Sequence, residues 1–321
     1  MPESKFHANE LSIRRKFDDP MVTADGSERA YVPLLTPRTL WFNTGTLCNI
    51  ECRNCYIESS PKNDSLVYIS ATEVGDYLMQ IKACGWPISE IGLTGGEPFM
   101  NFEIIEIIRL SLEQGYAVLV LTNAMRPLMR PRVQTGLLTL LKEHGDKLTL
   151  RISLDHFTEE LHDSERGKGA FRSTLAGMDW LSNNGFRISV AGRTVWGETE
   201  EEARAGYAHL FKSRNYCIDS SDPGMTVLFP EIDQTQDVPE ISVDCWKLLN
   251  KFPSDVMCSS SRMVVKRRGD ATPKVVACTL LPHDRDFELG SSLKESERSV
   301  RLNHPCCAQF CVLGGASCSR G

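Results

Sequence analysis

The sequence contains no apolar run near the roughly 20 residues that a membrane-spanning helix needs, and it shows no secretory signal peptide. We therefore expect a cytoplasmic protein with reduced thiols. The chain also lacks an excess of positive charge, because its formal net charge is −6. This balance argues against nucleic acid as a partner. The one local exception is the basic run at residues 266–268, which is expected to be a solvated turn.

The length and composition indicate a globular enzyme-sized chain. It has 321 residues, of which 41% are hydrophobic and 24% charged, so it can bury a sizeable core. Its 12 cysteines are many for a protein of a reducing compartment. Metal binding is therefore the expected use of these thiols, rather than disulfide formation.

Three of the cysteines lie within eight residues, in the segment Cys48-Asn-Ile-Glu-Cys52-Arg-Asn-Cys55. A structural zinc site needs four protein ligands, and no fourth cysteine or histidine stands beside this loop. A disulfide would leave one thiol unpaired. An iron–sulfur cube held by Cys48, Cys52 and Cys55 would keep one iron open, where a small molecule can bind and receive an electron.

This CxxxCxxC spacing resembles the cluster loop of the radical S-adenosylmethionine (SAM) superfamily, and Gly95-Gly96-Glu97-Pro98 is similar to the superfamily's methionine-binding motif. The resemblance implies a [4Fe-4S] cluster whose open iron is chelated by SAM. One electron then cleaves SAM to a 5′-deoxyadenosyl radical, which abstracts a hydrogen atom from the substrate. Clusters of this kind work near roughly −400 mV or below, so flavodoxin or ferredoxin is implied as the electron donor.

Six short β-rich runs alternate with helix-like segments and predict a parallel sheet. The runs are Leu40–Asn43, Glu90–Thr94, Ala117–Thr122, Leu148–Leu154, Arg187–Thr194 and Met225–Pro230. The first helix is predicted between a capping box at Ser70 and Glu73 and the stop at Gly85, and the others at about 101–114, 133–143, 171–184 and 199–213.

Six strands are too few for a closed eight-stranded barrel. The fold expected from the pattern, and implied by the resemblance, is an α/β partial (β/α)6 TIM-like barrel with a small cysteine-rich C-terminal α+β extension. Three regions follow: an N-terminal extension at 1–37, packed outside or partly disordered, the radical SAM core at 38–235, and the auxiliary cluster extension at 236–321.

Parallel strands bring their C-terminal ends to one edge, so the residues after each strand are candidate ligands of a small molecule. Gly95 and Gly96 would let the backbone approach a ligand closely. Glu97 would accept a hydrogen bond from an ammonium group, and Pro98 would fix the turn. An isolated motif of this kind is often an ordinary turn, but its pairing with the cysteine loop favours SAM binding.

The resemblance implies further SAM contacts after the next three strands. They are Asn123, Ser153, Asp155 and Arg193, the last pairing with the SAM carboxylate. The alternatives are that Ser153 and Asp155 only end a strand and cap a turn, and that Arg193 is a surface residue. Asn54 stands where many members have an aromatic residue or histidine near the adenine, so Tyr56 is a candidate substitute.

The charged segment 161–169 resembles a loop that follows strand four in many members that modify peptides or small molecules. His162 in this segment is expected to be a hydrogen-bonded surface residue. Hydrogen abstraction by a carbon radical needs no general base in its first step, so the mechanism does not require this histidine.

Seven of the 12 cysteines follow residue 240. Cys258 and Cys278 bracket a predicted β-hairpin formed by residues 263–269 and 274–277. This region resembles the twitch or shortened SPASM extension of radical SAM enzymes, which implies one auxiliary [4Fe-4S] cluster. The expected ligands are Cys258, Cys278 and Cys311, with the fourth drawn from Cys307 or Cys318. A structural zinc site is the alternative, and the isolated Cys84, Cys217 and Cys245 are expected to be small buried residues.

Together these features predict a radical SAM enzyme that oxidises or cross-links an unactivated C–H bond of a small molecule or peptide, with the auxiliary cluster aiding oxidation or substrate positioning. One alternative is a radical SAM enzyme that modifies RNA or nucleotides. The other is a non-catalytic iron–sulfur redox sensor or electron carrier, against which the intact Gly95–Pro98 motif speaks.

Overall fold

A parallel sheet with helices along the chain between its strands forms the body of the protein. The computed structural model describes residues 15–230, 232 and 236–315. The strands are β1 (Tyr31–Val32), β2 (Thr39–Asn43), β3 (Glu90–Thr94), β4 (Ala117–Thr122), β5 (Leu148–Ser153), β6 (Arg187–Arg193), β7 (Thr226–Phe229), β8 (Ser261–Val265), β9 (Lys274–Val276), β10 (Glu288–Gly290) and β11 (Val300–Arg301). The helices are α1 (Ala71–Cys84), α2 (Ile104–Glu113), α3 (Pro131–His144), α4 (Glu159–Arg166), α5 (Ala170–Asn183), α6 (Glu200–Arg214) and α7 (Cys245–Leu248).

Strands β2 to β7 lie in chain order and every neighbouring pair is parallel. This arrangement confirms the predicted partial barrel. The six predicted strands agree with the observed bounds to within one residue, because each is a short apolar run between clear turn signals. Within the described part of the chain, no helix has both the length and the apolar character that crossing a membrane requires.

Helix α1 shows how the sequence sets the helical layer. The Ser70 hydroxyl accepts a hydrogen bond from the Glu73 backbone and the Glu73 carboxylate accepts one from the Ser70 backbone, which forms the predicted capping box. Gly85 ends the helix in the left-handed conformation, with φ of 66°. Val74 and Ile81 are among its buried residues and pack in the core between the helices and the sheet.

The C-terminal hairpin extends the barrel sheet. Strand β8 pairs in parallel with β2, with Trp41 opposite Met263, and β9 returns antiparallel to β8. A second apolar cluster contains Trp41, Leu119 and Met263 together with Phe310 from the C-terminal extension. The sheet therefore runs across the predicted boundary between residues 235 and 236, and that division remains a prediction.

The described part of the N-terminal extension is packed against the C-terminal extension. Strand β1 pairs with β11. The Arg29 side chain is fully buried, and its guanidinium lies 2.5 Å from the carboxylate of Glu240. Breaking a buried ion pair by removing one partner is strongly destabilising. Through these contacts, residues 15–37 pack against and stabilise the C-terminal extension.

Candidate active site

The C-terminal ends of β2 to β6 surround a cavity of about 170 Å³. Its lining includes most of the predicted cofactor residues: Cys48, Cys52, Cys55, Gly95, Gly96, Asn123, Ser153, Asp155 and Arg193. The parallel register explains this convergence, because each residue follows or ends a strand at the same edge of the sheet. Glu97 and Pro98 do not line the cavity.

The two glycines of the motif lie against the backbone that leads into the cysteine loop. The Gly96 amide donates to the Gly45 carbonyl at 2.7 Å, and the Glu97 amide donates to the Leu47 carbonyl at 3.1 Å. A Cβ on Gly95 would stand 2.5 Å from the Gly45 oxygen, and one on Gly96 would stand 2.3 Å from the Leu47 oxygen. Side chains at these two positions would therefore collide with backbone. Glycine here lets the Gly95–Pro98 motif pack directly against the segment that leads into the cysteine loop.

This contact predicts a large effect for Gly96→Ala. Its methyl group would collide with rigid backbone, and overpacking of this kind typically costs about 1–3 kcal/mol. We expect Gly96→Ala to lower the free energy of unfolding by about that amount in urea titrations of the cofactor-free protein.

Gly75→Ala is the matched control, because a Cβ at Gly75 in α1 meets no atom within 4 Å. Alanine in a helix interior is favoured by roughly 0.5–1 kcal/mol over glycine, so this variant should be slightly more stable than the wild type. Equal unfolding free energies for the two variants would show that the motif and the cysteine loop are not in contact.

Glu97 joins the end of β3 to the end of β4. It is 2% exposed, and its carboxylate accepts hydrogen bonds from the Thr122 hydroxyl at 2.8 Å and from the backbone N–H of Asn123 at 2.9 Å. Burial raises the pKa of Glu97 to about 7, although these donors oppose the shift. The observed partners make Glu97 a structural bridge beneath the cavity, and its contact with an ammonium group remains a prediction.

A buried ion network lies on the opposite wall. The guanidinium of Arg166 donates to both carboxylate oxygens of Asp155, at 2.6 and 3.0 Å, and Arg193 lies 3.4 Å from the same carboxylate. Burial alone would raise the pKa of Asp155, but the two arginines outweigh it and hold that pKa below its ordinary value. Arg193 is only 7% exposed, so the surface alternative for this residue is wrong.

Arg166 was not among the predicted site residues, although it lines the cavity. It lies in the charged segment that was expected to be a loop, and this expectation was wrong because residues 159–166 form α4. His162 on the same helix is fully buried, and neither ring nitrogen has a hydrogen-bond partner among the described residues. Burial lowers the pKa of His162 to about 4. It is therefore not the expected surface histidine, and it packs against the ring of Phe171.

Asn54 and Tyr56 flank the third cysteine of the loop. The Asn54 amide donates to the Glu165 carboxylate at 3.0 and 3.1 Å, and the Asn54 carbonyl accepts from Arg193 at 2.6 Å. The Tyr56 ring lies under the Arg193 guanidinium, 4.5 Å from ring centre to carbon, and lines the cavity. The adenine contact proposed for Tyr56 remains a prediction.

The C-terminal cysteines come together at a second, small apolar cavity of about 20 Å³. Its lining includes Cys258, Cys278, Cys306, Cys307 and Cys311. Burial raises the pKa of the Cys307 thiol, and the neighbouring thiols raise it further. Cys318, the other candidate for the fourth ligand, lies outside the described residues. Among the residues described, no three Cys, His, Asp or Glu side chains form a group suited to one metal ion.

The isolated cysteines were predicted less well. Cys217 is exposed, and Cys84 and Cys245 are half-buried. The expectation that all three are buried is therefore wrong. None of the three lines the first cavity or the small apolar one.

A third, polar cavity of about 500 Å³ lies between the two cysteine groups. It shares Cys55, Tyr56 and Arg193 with the first cavity, and Leu281 and Cys306 with the second. The side chains of Arg53, Glu58, His283, Asp284 and His304 also line it. The arrangement places one polar chamber in contact with both groups of thiols.

The donor chemistry of the first cavity fits an iron–sulfur cluster. Soft thiolates are the usual ligands of such clusters, and three of them face one cavity whose other walls carry hydrogen-bonding groups. The second group also consists of thiols, in an apolar setting that suits a buried cluster.

Comparison with known proteins agrees with this chemistry. AlbA, the antilisterial bacteriocin subtilosin biosynthesis protein of Bacillus subtilis (strain 168), is 28% identical over 305 residues, which cover 88% of this chain and 62% of AlbA. The mycofactocin maturase MftC of Mycolicibacterium smegmatis is 29% identical over 146 residues, which cover 44% of this chain and 34% of MftC. This chain thus spans less than two thirds of either relative.

Two solved structures share the fold. Streptococcus suis SuiB bound to S-adenosylmethionine superposes with a TM-score of 0.57 at 12% identity, over 79% of this chain and 63% of SuiB. Native anSMEcpe with bound AdoMet superposes with a TM-score of 0.57 at 16% identity, over 84% of this chain and 82% of that one.

The family model for the radical SAM superfamily matches residues 42–207, from the end of the first barrel strand to helix α6. This match covers more than half of the chain and includes the cysteine loop, the glycine motif and every strand-end residue described above. The chain therefore belongs to the radical SAM superfamily and is an enzyme of that superfamily.

Proposed function

We propose that this enzyme oxidises or cross-links an unactivated C–H bond of a peptide, using SAM, a [4Fe-4S] cluster and an auxiliary [4Fe-4S] cluster. The observation that carries the proposal is the polar cavity, because its lining includes Cys55 of the loop and also Leu281 and Cys306, which line the small cavity of the C-terminal thiols. A substrate in this chamber would have the radical-generating site on one side and an electron acceptor on the other.

The first cluster would be held by Cys48, Cys52 and Cys55. When bound, this cluster and SAM would supply a carbon radical that removes a hydrogen atom from the substrate. The auxiliary cluster would take up one electron from the resulting substrate radical as that radical loses a proton or forms a new bond. The chain's own residues supply the shape and charge of the site. Arg193 is held by Asp155 and Asn54, so its guanidinium is fixed in the wall before any ligand enters.

SAM would lie along the strand ends, against Gly95, Gly96, Asn123, Ser153 and Asp155. All five line the same cavity. Glu97 and Pro98 would act from beneath by fixing the motif, and Glu97 would meet the SAM ammonium group if its carboxylate turned toward the cavity. Arg193 remains the candidate partner of the SAM carboxylate.

The auxiliary cluster would be held by Cys258, Cys278, Cys307 and Cys311. Cys307 and Cys311 lie on one π-helical segment, Cys307–Leu313, and the other two flank the hairpin of β8 and β9. Four thiols from three separate segments around one cavity support this choice. Cys318 remains an alternative fourth ligand.

A peptide substrate is supported by the relatives. AlbA acts in bacteriocin biosynthesis, and solved structures of SuiB and anSMEcpe contain a precursor peptide and Cp18Cys peptide, respectively. A chamber of about 500 Å³ has room for several residues of a peptide. Flavodoxin or ferredoxin would supply electrons in the cytoplasm.

The basic run at residues 266–268 does not support the alternative of an RNA-modifying enzyme. Arg267 is 6% exposed and donates to the Pro282 carbonyl at 2.7 Å, and Lys266 lies 2.5 Å from the Glu73 carboxylate. Arg268 pairs with Asp64, so all three basic side chains are engaged within the protein. Only the Arg268 side chain is mostly exposed, and the expected solvated turn is therefore wrong for Lys266 and Arg267.

The test is SAM cleavage by the anaerobically reconstituted, reduced enzyme. We expect 5′-deoxyadenosine to form, and we expect deuterium to appear in it when a mixture of peptides with deuterated side chains is added. An enzyme that binds iron but forms no 5′-deoxyadenosine would instead be a sensor or electron carrier. Cleavage without deuterium transfer from the peptide would point to a small-molecule substrate.

A further inference from the structure

We propose that the last turn of α4 clamps the cysteine loop: Glu165 fixes the segment between the second and third cysteines, and Arg166 sets the charge beside the cluster. This inference rests on the proposed function, because it assigns positioning roles around the first cluster. Both residues lie in the charged segment 161–169, but neither was predicted as a site residue.

Glu165 makes two separate connections to the loop. Its backbone carbonyl accepts from the Arg53 amide at 2.9 Å, and its carboxylate accepts from the Asn54 amide at 3.0 and 3.1 Å. Glu165 is 6% exposed, so water competes little for these hydrogen bonds. A hydrogen bond to a charged group is stronger than one between neutral groups. The loop is therefore tied to α4 at both residues between Cys52 and Cys55.

Arg193 holds the same segment from the other side. It donates to the Asn54 carbonyl at 2.6 Å. Asn54 is thus fixed through its side chain by α4 and through its backbone by the end of β6. A phenylalanine at position 54 has no donor for the carboxylate contact, so the clamp gives the asparagine side chain a role at this position.

Arg166 brings a positive charge into the cavity. Its side chain is 11% exposed and lines the same cavity as Cys52. Reduction adds a negative charge to a cluster, so a nearby cation stabilises the reduced form and raises the reduction potential.

The first experiment tests whether Glu165 and Asn54 stabilise the cysteine loop around the first cluster. The wild type, Glu165→Ala and Asn54→Ala are reconstituted anaerobically, and the release of iron from the first cluster to a chelator is timed. We expect release to be about tenfold faster in both variants. Glu160→Ala is the control, because Glu160 lies on the same helix and is exposed, and it should match the wild type. Two variants on opposite sides of one contact keep the test valid if one of them folds poorly.

The second experiment tests whether the charge of Arg166 changes the reduction potential of the first cluster. At the potential where half of the wild-type cluster is reduced, as followed by EPR, we expect about one tenth of the Arg166→Gln cluster to be reduced. This change in the ratio corresponds to about 59 mV for a one-electron couple. Arg166→Lys keeps the charge and should stay close to the wild type. Arg172→Gln, which removes a surface arginine paired with Glu159, should have no effect.

Folded variants with wild-type iron release and wild-type potential would overturn the clamp while leaving SAM cleavage by the wild type intact. A shift that is equal in Arg166→Gln and Arg166→Lys would overturn the charge assignment. A wild type that forms no SAM-cleaving cluster would overturn both the proposed function and this inference.

Discussion

Replacing Cys48, Cys52 and Cys55 together by alanine is expected to abolish 5′-deoxyadenosine formation and to leave about half of the iron bound. The three thiols line one cavity, whereas the C-terminal thiols line another and come from different segments. Each cluster would contain four irons, so loss of the first site halves the total. Iron and sulfide quantitation with EPR of the dithionite-reduced protein measures both effects.

The matched control replaces Cys84, Cys217 and Cys245, which line neither cysteine cavity of the described chain. This triple variant should keep all of its iron and its SAM cleavage. If the loop variant instead lost all iron and retained zinc, the C-terminal site would be structural and the search would turn to redox-neutral radical chemistry.

The double variant Cys278→Ala with Cys311→Ala is expected to lose the other half of the iron and more than a hundredfold of peptide oxidation, while SAM cleavage continues within a few-fold of the wild type. The reason is that the first cavity contains neither residue. The hydrogen atom could still be removed, but the electron left on the substrate would have no acceptor.

Cys306→Ala is the control for that variant, because Cys306 lines the same small cavity but is not among the four proposed ligands. It should retain the second EPR signal. Loss of iron in Cys306→Ala and its retention in the double variant would reverse the assignment of the ligands.

The sequence predicted the barrel well because local patterns determine it. Each strand of the core is an apolar run, and α1 has a capping box and a glycine stop, so propensity and burial agree. Helix α4 was missed because its two buried residues, His162 and Glu165, are both polar. A helix with no apolar face gives no hydrophobic periodicity to detect.

The site was predicted where chemistry follows a strand end and missed where it depends on contacts between distant segments. The three cysteines of the loop, Asp155 and Arg193 could be read from their positions after strands. Arg166 could not, because its partner Asp155 lies on another element and no local spacing links the two. The contact of Gly96 with the Leu47 backbone was not predicted either, because it joins two segments that are distant in the sequence.

The pairing of β2 with β8 has a consequence for how the enzyme is made. The strand that leads into the cysteine loop borders a segment more than 200 residues later in the chain, with Thr39 opposite Ser261. At a synthesis rate of about 5–20 residues per second, roughly ten to forty seconds separate the two during translation. In that interval the nascent loop follows a strand with an unpaired edge, so this side of the sheet is expected to close only after β8 has been synthesised.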